Sequence, residues 1–225
     1  MLLRRRSHKI MERKIYFAGD LFDHKDITGN LLLAEKIGQV SNGAYKVVLP
    51  QDSESNDLRT VNEIRDRDLE LLFSCDCIVA NFDGNELDSG TVVEFCFSKM
   101  LDMPAVLLRS DFRVRGDNGS DPWNLMCSGY PRSKVLIISA MEQYHRMRKK
   151  NGNPAEIAAA MHHETASMIV DALDTVFREK SHLDSASYCA ALELATASAG
   201  GILPELFPKE RISQLASEKV LAGFF

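Results

Sequence analysis

The densest polar segment of this 225-residue sequence reads Phe82-Asp83-Gly84-Asn85-Glu86-Leu87-Asp88-Ser89-Gly90-Thr91-Val92-Val93-Glu94. It follows an apolar, β-prone run and opens a helical pattern, so its acids fall at a strand end, on the rim of any cleft there. A glutamate in the first turn of that helix lies near the positive end of the helix dipole, which favours the carboxylate form. A positioned, ionised carboxylate is the nucleophile of retaining glycoside chemistry. A second carboxyl group or neutral acid nearby can exchange a proton with the leaving group. Glu94, Asp88 and the hydroxyl of Tyr16, from the first apolar run, are the right types for such a site. The same residues also fit plain structure: Thr91-x-x-Glu94 has capping-box spacing, and Asp88 and Ser89 are ordinary turn residues.

The elements that must position these groups are legible as alternating patterns. Strand-like apolar runs cover residues 14–19, 45–50, 77–82, 104–108 and 134–139. Helical spacing covers 28–40, with Thr28 as cap and Leu32, Leu33, Ile37 and Val40 in phase, and 57–74, with Leu58, Val61, Ile64, Leu69, Leu72 and Phe73 as the buried side. It returns over 90–103 and over 154–179, through Ile157, Met161, Met168, Ala172, Leu173, Val176 and Phe177. Short apolar strands alternating with helices predict an α/β fold, a parallel sheet covered on both faces. Right-handed crossovers favour a flavodoxin-like, doubly wound, five-stranded sheet of order 2-1-3-4-5. Ligands then bind at the carboxyl ends of the strands, which singles out the loops 19–27, 83–90 and 109–129.

Beyond residue 181 the pattern changes. An alanine-rich helix over 184–199 ends at Gly200-Gly201, and Pro208 starts a last helix with Ile212, Leu215, Ala216 and Val220 on one side. Two short helices cannot form a core alone, so they must dock on the sheet domain or on another subunit. The expected organisation is a basic N-terminal extension (1–13), an α/β domain (14–180) and a C-terminal helical extension (181–225).

Four segments, in order, make the sequence resemble the nucleoside 2-deoxyribosyltransferase family: Ile15-Tyr16-Phe17-Ala18-Gly19 with Phe22; Arg67-Asp68-Leu69; Asp88-Ser89-Gly90-Thr91-Val92-Val93-Glu94; and Pro122-Trp123-Asn124-Leu125-Met126. The resemblance implies transfer of 2-deoxyribose between nucleobases, without a cofactor or metal. It makes Glu94 the nucleophile at the anomeric carbon and Tyr16 the hydroxyl that orients and tunes it. It makes Asp68 a contact to the base that helps protonate it, and Asp88 a ligand of the deoxyribose hydroxyls. Gly19 and Phe22 join the substrate-binding set. Asn124 and Met126 match positions on the sugar side of the site, the asparagine coming from a neighbouring subunit, which implies a homo-oligomer of at least two chains. Where the family usually has glycines, two residues after the nucleophile and before the next strand, this sequence has Cys96 and Asp102. The first loop, Asp20-Leu21-Phe22-Asp23-His24-Lys25-Asp26, is unusually acidic.

Composition narrows the alternatives. Lysine plus arginine against aspartate plus glutamate gives 27 − 32 = −5, which argues against a nucleic-acid partner. No apolar run approaches the roughly 18 residues of a membrane span. Five cysteines without scaffold spacing read as reduced thiols in a cytoplasmic protein, those at Cys75 and Cys77 buried. Met1-Leu2-Leu3-Arg4-Arg5-Arg6 has no apolar stretch after it and is not a secretory signal, and Met11 is a candidate start. His162-His163-Glu164 lacks zincin spacing and reads as a solvated helix face; Trp123 reads as a wall of a pocket or interface. No glycine-rich nucleotide cradle follows the first strand. A 5′-monophosphate N-glycosidase stays open, since Arg109 and Ser110 can meet a phosphate, and so does a non-catalytic nucleoside- or nucleotide-binding module.

Overall fold

The computed structural model describes residues 12–52, 60–113, 122–150 and 152–225. The candidate start at Met11, most of the basic extension, and Asp57 and Leu58 of the second helical pattern lie outside them. Five strands form one sheet: β1 (Arg13–Ala18), β2 (Tyr45–Val48), β3 (Cys77–Asn81), β4 (Ala105–Arg109) and β5 (Ser133–Ile137). All pairings are parallel, in the order β2-β1-β3-β4-β5. Tyr16 of β1 stands level with Val48 on one side and Ile78 on the other.

Period-two alternation sorts the strand residues onto two faces. Tyr16, Ala18, Ile78, Ala80, Ala105 and Leu107 join one buried cluster, toward α2 (Val61–Phe73) and α3 (Ser89–Met100). Ile15, Phe17, Cys77, Val79, Val106 and Leu108 join the other, toward α1 (His24–Val40) and α5 (Pro154–Val176). Burial on both faces explains why these strands read as continuous apolar runs.

Several boundaries differ from the sequence expectation, each for a local reason. α1 begins at His24, four residues before Thr28, because the Asp23 carboxylate caps it by accepting from the Lys25 and Asp26 N–H groups. Thr28 instead donates its hydroxyl to the His24 carbonyl inside the helix. α2 begins at Val61, where Thr60 and Glu63 form a reciprocal capping box. Val61 and Ile64, expected in its buried side, are 82% and 37% exposed; the buried stripe is Asp66, Leu69, Leu72 and Phe73. α4 (Ala140–Lys150) was not signalled, because it buries only the polar Gln143. On α5 His163 is exposed, as expected of a solvated face, whereas His162 is half-buried, with its Nδ1 2.8 Å from the Ala158 carbonyl oxygen. All five cysteines are free; Cys75, Cys77 and Cys127 are buried.

The C-terminal segment folds as α6 (Ser185–Ala199), a short α7 (Leu203–Leu206) and α8 (Lys209–Leu221). Asp184 caps α6 and Gly200, at φ +68°, ends it. These helices dock on the same chain: Tyr188, Leu192, Leu203, Phe207, Ile212, Ala216 and Phe224 share a buried cluster with Tyr16, Leu69, Phe73 and Phe95. No described helix is long and apolar enough to cross a membrane.

Candidate active site

Tyr16 is the fourth residue of β1, fully buried, with its ring among the α2–α3 cluster. That placement carries its hydroxyl under α3. Glu94 comes down from α3 to meet it, and the Tyr16 hydroxyl donates to Glu94 Oε1 at 2.5 Å. The distance is at the short end of charge-assisted O–H···O⁻ bonds.

The helix start is organised by Asp88. Its Oδ2 accepts from the Thr91 N–H at 2.7 Å and the Thr91 hydroxyl at 2.9 Å, so Asp88 is the cap and Thr91-x-x-Glu94 is not a capping box. Because α3 begins at Ser89, Glu94 lies in its second turn, and the dipole influence expected for a first-turn acid fades there. The consequence reverses the sequence expectation of a favoured carboxylate. Burial above all pushes the Glu94 carboxyl up to about 7; the Tyr16 hydrogen bond works against that rise, and the charges of Asp68 and Asp88 add to it. Tyr16 is pushed well above the usual phenol range by burial and then by the Glu94 charge, so it stays a donor.

Asp68 sits half-buried in the middle of α2 and acts electrostatically on both Glu94 and Tyr16. Tyr16, Glu94, Asp68 and Asp88 are thus gathered from β1, α3, α2 and the β3–α3 loop. Gly19 follows β1 close against β3: a Cβ there would stand 3.0 Å from the Asn81 Cβ, so a larger residue would push Asn81 aside by a few tenths of an ångström. Phe22 is 75% exposed in the loop before α1. In that loop Asp20 is raised by partial burial and then by Asp88, Asp26, Asp83 and Asp23.

Asn124 and Met126 lie elsewhere in the single chain. The Asn124 side chain accepts from the Met126 N–H at 2.9 Å, capping a 3-10 turn over Leu125–Cys127. Both line a cavity of about 730 Å³ with Leu87, Ser89, Val92, Val93 and Trp123, and neither Glu94 nor Tyr16 lines it. Trp123 is a wall here, 3% exposed and edge-on to Phe82 at 5.2 Å.

Two groups kept open for phosphate turn inward. The Arg109 guanidinium is buried and donates to the carbonyls of Phe82, Gly84 and Arg113. The Ser110 hydroxyl and N–H both donate to Asp83, at 2.6 Å each. Arg109 therefore shapes the loop that carries Asp88, a role signalled only by an arginine ending an otherwise apolar strand.

The sequence model of the family described as nucleoside 2-deoxyribosyltransferase matches residues 15–126, about half of the chain. This chain belongs to that family. The matched stretch of the nucleoside 2-deoxyribosyltransferase domain contains β1 with Tyr16, α2 with Asp68, α3 with Glu94, and Asn124 and Met126. Its members act on small nucleosides and nucleobases. Similar solved structures include a conserved protein from Enterococcus faecalis, 24% identical, covering 62% of this chain and 99% of its own, TM-score 0.49. A 2-desoxiribosyltransferase from Leishmania mexicana is 19% identical over 63% of this chain and 99% of its own, TM-score 0.44. A CMP N-glycosidase from Clostridium botulinum is 13% identical over 61% and 98%, TM-score 0.42. The family assignment rests on the matched segment and not on these likenesses. Comparison with curated proteins finds no match.

Proposed function

We propose that this protein cleaves the N-glycosidic bond of 2′-deoxynucleosides through a glutamyl–deoxyribose intermediate on Glu94. The observation that carries the reading is the 2.5 Å bond from a buried tyrosine to a carboxylate whose pKa lies about 7. A Glu94 oxygen attacks C1′ as the C1′–N bond breaks, and the bond electrons go to the base. Asp68 supplies the proton the departing base needs. A second nucleobase or water then attacks C1′, its proton passing to the Asp68 carboxylate as the C1′–O bond to Glu94 breaks, giving a transferase or hydrolase outcome. Tyr16 holds the attacking carboxylate in one orientation, and the free oxygen of Asp88 faces the deoxyribose hydroxyls, with Gly19 and Phe22 at the substrate side.

In this reading residues 14–180 are the catalytic unit, residues 181–225 an added layer, and the active assembly a homo-oligomer in which Asn124 and Met126 serve a neighbour's site. Their position in a cavity apart from Glu94 supports that arrangement. A free deoxynucleoside is preferred over its 5′-monophosphate, because Asp20, Asp23 and Asp26 crowd the first loop and Arg109 and Ser110 are committed internally.

The deciding experiment incubates the protein with deoxyinosine or thymidine and a second free base. Exchanged nucleoside, and a deoxyribosyl adduct on Glu94 by mass spectrometry, are expected. Binding without turnover would leave a nucleoside-binding module. Turnover of the 5′-monophosphate alone would make the protein a monophosphate N-glycosidase.

A further inference from the structure

α2 is gripped along one flank by the C-terminal extension. Asp66, 2% exposed, accepts from the Ile202 N–H at 2.8 Å and pairs with Arg65. One turn on, Glu70 accepts from Arg211 at 3.0 Å; another turn on, the Ser74 hydroxyl lies 3.3 Å from the same guanidinium. Arg211 is itself fixed by the Leu206 carbonyl at 2.6 Å and by the Phe207 ring at 4.2 Å. Just past the helix, Lys219, 3% exposed, reaches the Cys75 carbonyl and Asp76.

The spacing of these contacts is regular. Asp66, Glu70 and Ser74 recur every fourth residue and form one flank of α2. Leu69, Leu72 and Phe73 face the core. At about 100° per residue, Asp68 falls on the far side of that apolar stripe, away from the gripped flank. A helix held from the core and from one flank presents its other flank at a fixed height and rotation.

The grip is close. At Gly201 φ is +60°, and a Cβ would stand 2.0 Å from Asp66 Oδ2 and 2.7 Å from its Cγ. Only glycine satisfies both the left-handed backbone and this approach.

We infer that the C-terminal extension is a positioning element for the reaction: through Gly201–Ile202 on Asp66 and Arg211 on Glu70, it sets the height and rotation of α2 and so aims Asp68 at the leaving base. The inference rests on the role proposed for Asp68. It assigns Gly201, Asp66 and Arg211 a duty toward general acid catalysis although none of them meets substrate. A carboxyl group displaced by about 1 Å from a proton-transfer position costs on the order of 100-fold in rate.

The test uses two full-length variants altered in the extension, Gly201→Ala and Arg211→Gln, and two substrates. Deoxyinosine needs a proton on its leaving base. 7-Methyl-2′-deoxyguanosine does not, because its cationic base departs neutral when the bond electrons return to it. Both variants should lose about ten- to a hundred-fold in kcat on deoxyinosine and stay within about threefold of wild type on the methylated substrate. Asp68→Asn should show the same contrast more strongly. Equal losses on both substrates, no loss on either, or failure of both variants to fold by circular dichroism would overturn the inference. If Asp68→Asn shows the contrast and the extension variants do not, the positioning role alone fails. If Asp68→Asn shows none, the proposed role of Asp68 fails and this inference with it.

Discussion

Glu94 and Asp102 are both acids of the α3 region, Glu94 within the helix and Asp102 two residues past its end, yet their surroundings are opposite. Asp102 is 4% exposed and holds φ at +51°, a backbone state that fits the glycine expected there from the family pattern. Its Oδ2 accepts from the Ser181 hydroxyl and the His182 N–H, both at 2.8 Å, and faces Arg132 at 3.4 Å. Arg132 in turn donates to the Phe224 carbonyl and lies under the Phe224 ring. The carboxylate ties β4 and β5 to both ends of the C-terminal extension. Glu94 instead meets one tyrosine hydroxyl and two neighbouring acids, so its charge is under-compensated and the carboxylate is a stronger base and nucleophile than a solvated one. Acids that fasten structure are supplied with donors and cations. The acid proposed to attack carbon is left short of them.

The contrast can be tested by making each acid fail in its own way. The largest effect is expected for Glu94→Ala, which should abolish glycosidic cleavage and adduct formation. Its far-UV circular dichroism should be unchanged, since this side chain caps nothing. Robust turnover by this variant would break the comparison at once. Asp102→Ala should do the reverse. Removing one partner of a buried charge pair costs about 3–5 kcal/mol, so denaturant melts should show a large loss of stability, with specific activity retained in the folded fraction. A melt within about 0.5 kcal/mol of wild type, the range of ordinary surface substitutions, would demote Asp102 from a fastener.

Tyr16→Phe comes next. A hydrogen bond to a charged group is worth roughly 1.5–3 kcal/mol, or about 10- to 150-fold in rate when it is needed in the transition state. Because the Tyr16 bond lowers the Glu94 pKa from where burial would leave it, its loss should also move the acid limb of kcat/KM above about 7. An unchanged limb would show that the ring only packs.

The smallest effect concerns stability. Glu94 titrates at about 7 when folded against 4.5 for an unperturbed carboxyl. Between those values the folded chain binds more proton than the unfolded one, so stability is full below 4.5, falls as pH rises toward about 7, and is level beyond. Glu94→Gln cannot ionise and escapes that loss. It should be more stable than wild type by about 1–3 kcal/mol at pH 8 and equal to it near pH 4. Equal melts at both pH values would mean that Glu94 is well solvated and not held for chemistry.

The sheet was readable because burial on both faces leaves a plain mark, short apolar runs separated by helical periods. The site was readable in part for the same reason: Tyr16 and Glu94 fall at fixed places on a strand and a following helix, and the fold order brings those two elements together. α4 was not readable, because it buries only a glutamine. On α2 Leu69, Leu72 and Phe73 are buried as their spacing implies, and only its first turns depart from it. Val61 and Ile64 look apolar enough for the core, but the surface that receives α2 comes partly from residues 188–224, and it meets the side of Asp66 instead.

By itself, then, the sequence determined the parallel α/β order, the strand and helix that carry Tyr16 and Glu94, and the family of reactions to consider. The order and the two elements follow from periodicity and local spacing, which act over a few residues; the reactions follow from the resemblance of four short segments to a known family. Tertiary structure alone decided that Arg109 turns inward, and that Asp102 stands where a glycine is expected and fastens Ser181, 79 residues further along the chain. It also decided the protonation of Glu94. A local dipole argues for the carboxylate, but burial and the approach of Asp68 from a different helix outweigh it, because charge in a low-dielectric interior acts across space and not along the chain.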